Sequence, residues 1–133
     1  MKKKILIVDD LYPNRFLLQE ILDEDYEVHG AADGDKMREL LKTMIPDIIL
    51  MDINLPDQDG FELTKELKAN PSTKDIPVIF LTVRNTKIDV IHAINAGGSD
   101  FIGKPFDDQE LKNRVEKVLK DKQISEISNT TES

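Results

Sequence analysis

Short, unbroken apolar runs alternate with amphipathic stretches along the chain, and few folds tolerate that pattern. Ile5-Leu6-Ile7-Val8, Asp47-Ile48-Ile49-Leu50-Met51 and Val78-Ile79-Phe80-Leu81 are rich in β-branched residues and too short for helices. They are apolar on both faces, as strands inside a parallel sheet must be when helices cover both sides. Tyr26-Glu27-Val28-His29 alternates and reads as a strand nearer an edge, and Ser99-Asp100-Phe101-Ile102 is a weaker fifth.

Between these runs the apolar period becomes helical. Leu17, Leu18, Ile21 and Leu22 form one stripe, with Pro13 suited to a first helical turn. Met37, Leu40, Leu41 and Met44 form a second, with Asp33 as N-cap and Pro46 as terminator. Phe61, Leu63 and Leu67 predict a third helix, and Ile88, Ile91 and Ile94 a fourth that stops at Gly97-Gly98. Leu111, Val115, Val118 and Leu119 predict a fifth, acidic at its start and lysine-rich at its end, as the helix dipole favours. Five βα units in strict alternation predict a single-domain α/β fold, a parallel five-stranded sheet with helices on both faces and right-handed crossovers. A length of 133 residues suits one such domain. The domain is expected over residues 1–121. Residues 122–133, mostly Ser, Thr, Asn and Glu, are expected to be a disordered tail or a truncated linker.

Composition narrows the function. Eighteen Lys and Arg face 26 Asp and Glu, a net charge of −8, which disfavours direct nucleic-acid or anionic-membrane binding. Cysteine is absent, so disulfides, thiolate metal sites and thiol nucleophiles are excluded. The lysines at 2–4 precede only four apolar residues, which makes neither a signal peptide nor a spanning helix, and a cytoplasmic location is expected.

Ligands of an open α/β sheet bind beyond the carboxyl ends of its strands. Asp9 and Asp10 follow the first strand, Asp52 and Asn54 the third, Thr82 the fourth, and Lys104 and Pro105 the fifth. Three carboxylates, a hydroxyl and an ammonium therefore converge on one rim. Gathered carboxylates repel one another, and a hard divalent cation such as Mg²⁺, together with one lysine, would offset that. A carboxylate beside such a cation can act as a nucleophile toward a phosphoryl group.

Four segments in order, each at a strand end, resemble the receiver (CheY-like) domain of bacterial two-component response regulators. They are Ile-Val-Asp-Asp, Met-Asp-Ile-Asn-Leu-Pro-Asp-Gln-Asp-Gly, the Leu-Thr after the fourth strand, and Asp-Phe-Ile-Gly-Lys-Pro-Phe, within a likeness covering roughly residues 3–121. The resemblance implies a doubly wound, flavodoxin-like sandwich of strand order 2-1-3-4-5. It implies that Asp52 is the phosphoacceptor for a phosphohistidine on a sensor histidine kinase or phosphotransfer protein. Asp9, Asp10, Asp52 and the Asn54 backbone carbonyl would hold Mg²⁺, and Thr82 and Lys104 would bind the phosphoryl oxygens. Pro105 would follow a cis peptide bond. Thr82 and Phe101 would form the switch, altering the face of the fourth helix, fifth strand and fifth helix for a downstream partner or a phosphorylation-dependent dimer of an otherwise monomeric chain. The exposed side of the first helix, near Asn14, Arg15 and Leu18, would meet the phosphodonor.

Two departures stand out. Val83 replaces the usual Ala or Gly, which is expected to narrow access to the phosphoryl group. Phe101 stands where Tyr is common, so its switch must work by ring packing alone. Two alternatives fit less well. A haloacid-dehalogenase-type phosphatase needs a second aspartate two positions after the first, where this chain has Leu11 or Tyr12. A phosphorylation-independent interaction module would have lost a corner residue, and none is missing. The chain is expected to be no enzyme beyond its own phosphorylation and dephosphorylation.

Overall fold

The apolar runs pair into one sheet and the periodic stretches between them coil into helices. The computed structural model describes residues 2–132. Its strands are β1 (Lys3–Val8), β2 (Tyr26–Ala31), β3 (Ile48–Met51), β4 (Val78–Thr82) and β5 (Asp100–Gly103). Its helices are α1 (Tyr12–Leu22), α2 (Gly34–Leu41), α3 (Gly60–Ala69), α4 (Lys87–Asn95) and α5 (Asp108–Glu132). All pairings are parallel and the order is β2-β1-β3-β4-β5, the doubly wound, flavodoxin-like arrangement expected.

Alternate strand residues feed two cores. Leu6, Val8, Ile49, Met51, Val78 and Phe80 pack against α2, α3 and α4. Ile5, Ile7, Ile48, Leu50, Ile79, Leu81 and Ile102 pack against α1 and α5. Each fully buried side chain of this size contributes about 1.5–3 kcal/mol, so the central strands anchor the fold. Strand order reverses between β1 and β3, and this places a crevice at their carboxyl ends.

Three expectations are corrected. The isoleucines of α4 do not face the core: Ile88, Ile91 and Ile94 are 65 %, 54 % and 67 % exposed. Asp89, Ala93 and Ala96 are buried instead. A capping box sets this register, since Thr86 Oγ1 accepts the Asp89 N–H (3.2 Å) and Asp89 Oδ2 accepts the Thr86 N–H (3.1 Å). The sheet surface beneath is already filled by Phe80, and a Cβ on Gly98 would lie 2.7 Å from that ring, so small residues fit there. On α1, Leu17 leaves its stripe and is exposed, while Leu18, Ile21 and Leu22 are buried. Residues 122–132, expected as a disordered tail, continue α5. No Gly or Pro follows Pro105, and the i, i+4 pairs Lys117–Asp121 and Lys122–Glu126 support the helix across residue 121. Ser133 lies outside the described residues.

Candidate functional site

The parallel ladder carries two aspartates one step past the strands that bear them. Asp9 N–H donates to the Ala31 carbonyl (3.0 Å) and Asp52 N–H to the Val8 carbonyl (2.9 Å), so both emerge at neighbouring strand ends. Asp9 is only 2 % exposed and its carboxylate is heavily engaged. Oδ1 accepts the Leu11 N–H (2.9 Å), Oδ2 accepts Lys104 Nζ (2.9 Å), and Asn14 Nδ2 lies 3.4 and 3.3 Å from the two oxygens. Asp52 Oδ1 accepts the Asn54 N–H at 3.2 Å, and its Oδ2 stands 3.5 Å from Lys104 Nζ.

Lys104 therefore bridges the two carboxylates, half-buried at the end of β5. Its own N–H donates to the Thr82 carbonyl (2.8 Å), and the Lys104–Pro105 peptide bond is cis. A single ammonium between two carboxylates offsets the repulsion that burying both would create. Thr82 is fully buried, and its Oγ1 accepts the Arg84 N–H at 3.2 Å.

The remaining candidates sit around this centre. Asp10 is exposed and makes no hydrogen bond or ion pair among the described residues, and Asn54 is exposed with its Oδ1 3.4 Å from Arg84 Nη1. Among the described residues no group of three or more His, Cys, Asp or Glu side chains is arranged to hold a metal ion by itself. Phe101 lies apart from the acidic centre. It pairs with Phe80 across β4 and β5, packs half-buried on the α2–α4 core, and its ring centroid is 6.5 Å from that of Phe80. Val83 is exposed beside Thr82. Leu11 and Tyr12, where a dehalogenase-type phosphatase needs its second aspartate, are exposed and carry no carboxylate.

The first-helix expectation needs revision. Leu18 is buried, Arg15 Nη1 donates to the Asp9 carbonyl at 2.7 Å, and Asn14 turns toward the Asp9 carboxylate. The exposed apolar residues are Leu11, Tyr12, Phe16 and Leu17. Arg84 escaped sequence reasoning, and so did the turning of Asn14 from a partner-facing surface onto Asp9, because a lone polar residue in a helix or loop leaves no periodic trace. Gly60 belongs to the quoted acidic segment, yet its steric role shows only in three dimensions. A Cβ there would overlap the Asp52 carbonyl oxygen and approach Ile53 Cα to 2.9 Å.

A family model described as the response regulator receiver domain matches residues 5–116. The chain belongs to the response regulator receiver family. This receiver is 38 % identical to response regulator PleD of Caulobacter vibrioides over 125 residues, covering 93 % of this chain and 28 % of PleD. It is 37 % identical to the transcriptional regulatory protein CpxR of Klebsiella pneumoniae over 131 residues, covering 98 % of this chain and 55 % of CpxR. The chain thus spans between about a quarter and just over half the length of those curated relatives. A CheY-like receiver domain protein from Methanospirillum hungatei superimposes with a TM-score of 0.87 at 27 % identity, over 94 % of this chain and 99 % of that one. A putative response regulator from Chloroflexus aurantiacus gives 0.85 at 34 % identity, over 90 % and 98 %. No helix of the described residues is long and apolar enough to cross a membrane.

Proposed function

We propose that this receiver is a phosphoacceptor switch in which Asp52 takes a phosphoryl group from a phosphohistidine of a sensor histidine kinase or phosphotransfer protein. The observation that carries this reading is the Lys104 ammonium standing between Asp9 and Asp52 at the crevice where the strand order reverses. An Asp52 oxygen forms the new P–O bond as the P–N bond to the imidazole breaks, and the imidazole leaves. The Asn54 N–H fixes the carboxylate rotamer, and Lys104, already 3.5 Å away, meets the charge on the phosphoryl oxygens. Thr82 gives up the Arg84 amide to donate to one of those oxygens, and Phe101 follows by repacking against Phe80.

The donor set suits Mg²⁺, whose hard-ion chemistry calls for one or two carboxylates with carbonyl and water oxygens. Asp9, Asp10, Asp52 and the Asn54 backbone carbonyl would hold it, and it would supply positive charge to the phosphoryl oxygens. The receiver unit is residues 1–121, working in the cytoplasm, with self-phosphorylation and autodephosphorylation as its only turnover. The phosphodonor meets the exposed apolar side of α1 formed by Leu11, Tyr12, Phe16 and Leu17. The output face comprises α4, β5 and α5, where it meets a downstream protein or a second phosphorylated copy of a resting monomer.

Adding beryllofluoride with Mg²⁺ tests this reading. Amide shifts are expected around Asp52, Thr82 and Phe101, and none when either component is omitted. An unchanged spectrum with both present would refute it.

A further inference from the structure

Arg84 lies in the turn between β4 and α4 and touches four parts of the molecule. Its N–H donates to Thr82 Oγ1 (3.2 Å), Nη1 reaches Asn54 Oδ1 (3.4 Å) and Asp59 Oδ2 (3.9 Å), and Nη2 donates to Asp89 Oδ1 (3.0 Å). Its guanidinium also sits 5.7 Å from the centre of the Phe61 ring. That ring begins a row through Phe80 (5.2 Å) to Phe101 (6.5 Å). One side chain thus spans the loop after Asp52, the first turn of α4 and the aromatic row.

Asp89 is the unusual partner. It is 6 % exposed on a helix that turns three isoleucines to solvent. Burying a carboxylate while exposing that much apolar surface is unfavourable unless every carboxylate oxygen is satisfied. Thr86 supplies its N–H and hydroxyl to Oδ2, and Arg84 supplies the charged donor to Oδ1. The register that the Thr86 capping box sets is thus completed at Asp89 Oδ1 by a side chain that also contacts the phosphoacceptor loop.

We propose that Arg84 is a positioning residue that ties the state of the Asp52 pocket to the register of α4, holding Asp89 in and Ile88, Ile91 and Ile94 out at rest. This deepens the phosphoacceptor reading and rests on it. When the Thr82 hydroxyl turns to a phosphoryl oxygen, the Arg84 amide loses its acceptor. The new anion beside Asn54 competes with Asp89 for the guanidinium. Released from Arg84, Asp89 turns to water, and as Phe80 repacks with Phe101 and yields the space under α4, the helix turns to carry its isoleucines toward the sheet. The phosphoryl group selects this second register by weakening the contact that disfavours it.

The test uses the full chain without metal or phosphodonor, comparing wild type with R84M, which keeps the apolar stem over Phe61, and R84K. The line from free wild type to wild type with beryllofluoride and Mg²⁺ gives the scale for each α4 amide. In R84M the amides of Ala93, Ile94 and Ala96 are expected to move along that line, and α4 amides to exchange about tenfold faster while those of α3 do not change. R84K reaches Asp89 or Asn54 but not both, so it is expected to move them less. D89N, which removes the charge Arg84 holds, is expected to reproduce R84M and serves if R84M does not fold. Amides of α4 that stay at the free wild-type positions, with unaltered exchange, or that move off the line, would overturn the proposal. A wild-type chain silent to beryllofluoride would refute the phosphoacceptor reading instead; the exchange comparison needs no donor and reads Arg84's hold on α4 by itself.

Discussion

The Lys104 ammonium is closer to Asp9 than to Asp52, 2.9 Å against 3.5 Å, so at rest the lysine belongs mainly to the buried partner. Asp9 is also held by the Leu11 amide and by Asn14, whereas Asp52 has the Asn54 amide and the longer contact to Lys104. The two carboxylates should therefore respond differently to neutralisation. D9N is expected to lower stability by about 1–3 kcal/mol, because it removes the acceptor of a buried, charge-assisted pair. D52N is expected to stay within about 0.5 kcal/mol, because Lys104 keeps its main partner. Urea unfolding of the two variants checks the order; equal losses would contradict it.

Gly60 stands against the backbone of the proposed phosphoacceptor. Since a Cβ there would overlap the Asp52 carbonyl oxygen, G60A must push the loop away from β3. The expected cost is about 1–3 kcal/mol, typical of overpacking. Phosphoryl uptake should slow as well, because the Gly60 N–H to Ile53 carbonyl bond of 2.8 Å closes that loop. Denaturation combined with an uptake assay separates these effects.

The exposed isoleucines of α4 give a third expectation. Replacing Ile88, Ile91 and Ile94 with Ser should change stability by less than about 0.5 kcal/mol each, since they touch no core. Phe80→Ala, in the buried centre of β4, should cost about 3–5 kcal/mol. Because phosphorylation is proposed to carry these isoleucines toward the sheet, the triple replacement should leave phosphoryl uptake intact but disfavour the switched register of α4, so that partner binding or dimer formation by the phosphorylated chain weakens; binding assays and analytical ultracentrifugation report this.

Acid should loosen the tie between α2 and α3. Arg38 grips Glu66 through two bonds of 2.8 and 2.9 Å, and those hydrogen bonds hold the Glu66 carboxyl below its ordinary 4.5. A lowered folded-state pKa means the pair stabilises the protein above about pH 4.5 and loses that contribution as pH falls through the folded value. Both side chains are more than a third exposed, so the contribution is about 0.5–1 kcal/mol. E66Q, which leaves the Arg38 bonds to Asp35 and Gln58 in place, should show that deficit at pH 7 and a shrinking one as pH falls below about 4.5, in paired urea titrations.

Some of these features were legible in the residues and some were not, for physical reasons. β1, β3 and β4 could be read because a strand covered on both faces has to be apolar throughout, and the site residues because they stand where those runs stop. The sequence could not show that α4 buries Asp89. An apolar stripe ordinarily marks the core face, and here a capping box at Thr86 and the bulk of Phe80 outweigh it. The Thr86-x-x-Asp89 spacing was the available signal. Residues 122–132 looked tail-like by composition, yet helix needs only the absence of breakers and a supply of i, i+4 pairs. The turning of Asn14 and Arg15 onto Asp9 depends on how α1 is seated, which no linear pattern records.

The most direct measurement is to map the phosphoryl group itself. The chain would be incubated with Mg²⁺ and a phosphorylated histidine kinase or phosphoramidate, the acyl phosphate reduced with borohydride, and the modified peptide located by mass spectrometry. The modification is expected at residue 52, absent in D52N and absent after chelation of divalent cations. A modification at another residue, or uptake by D52N equal to wild type, would contradict the assignment of Asp52.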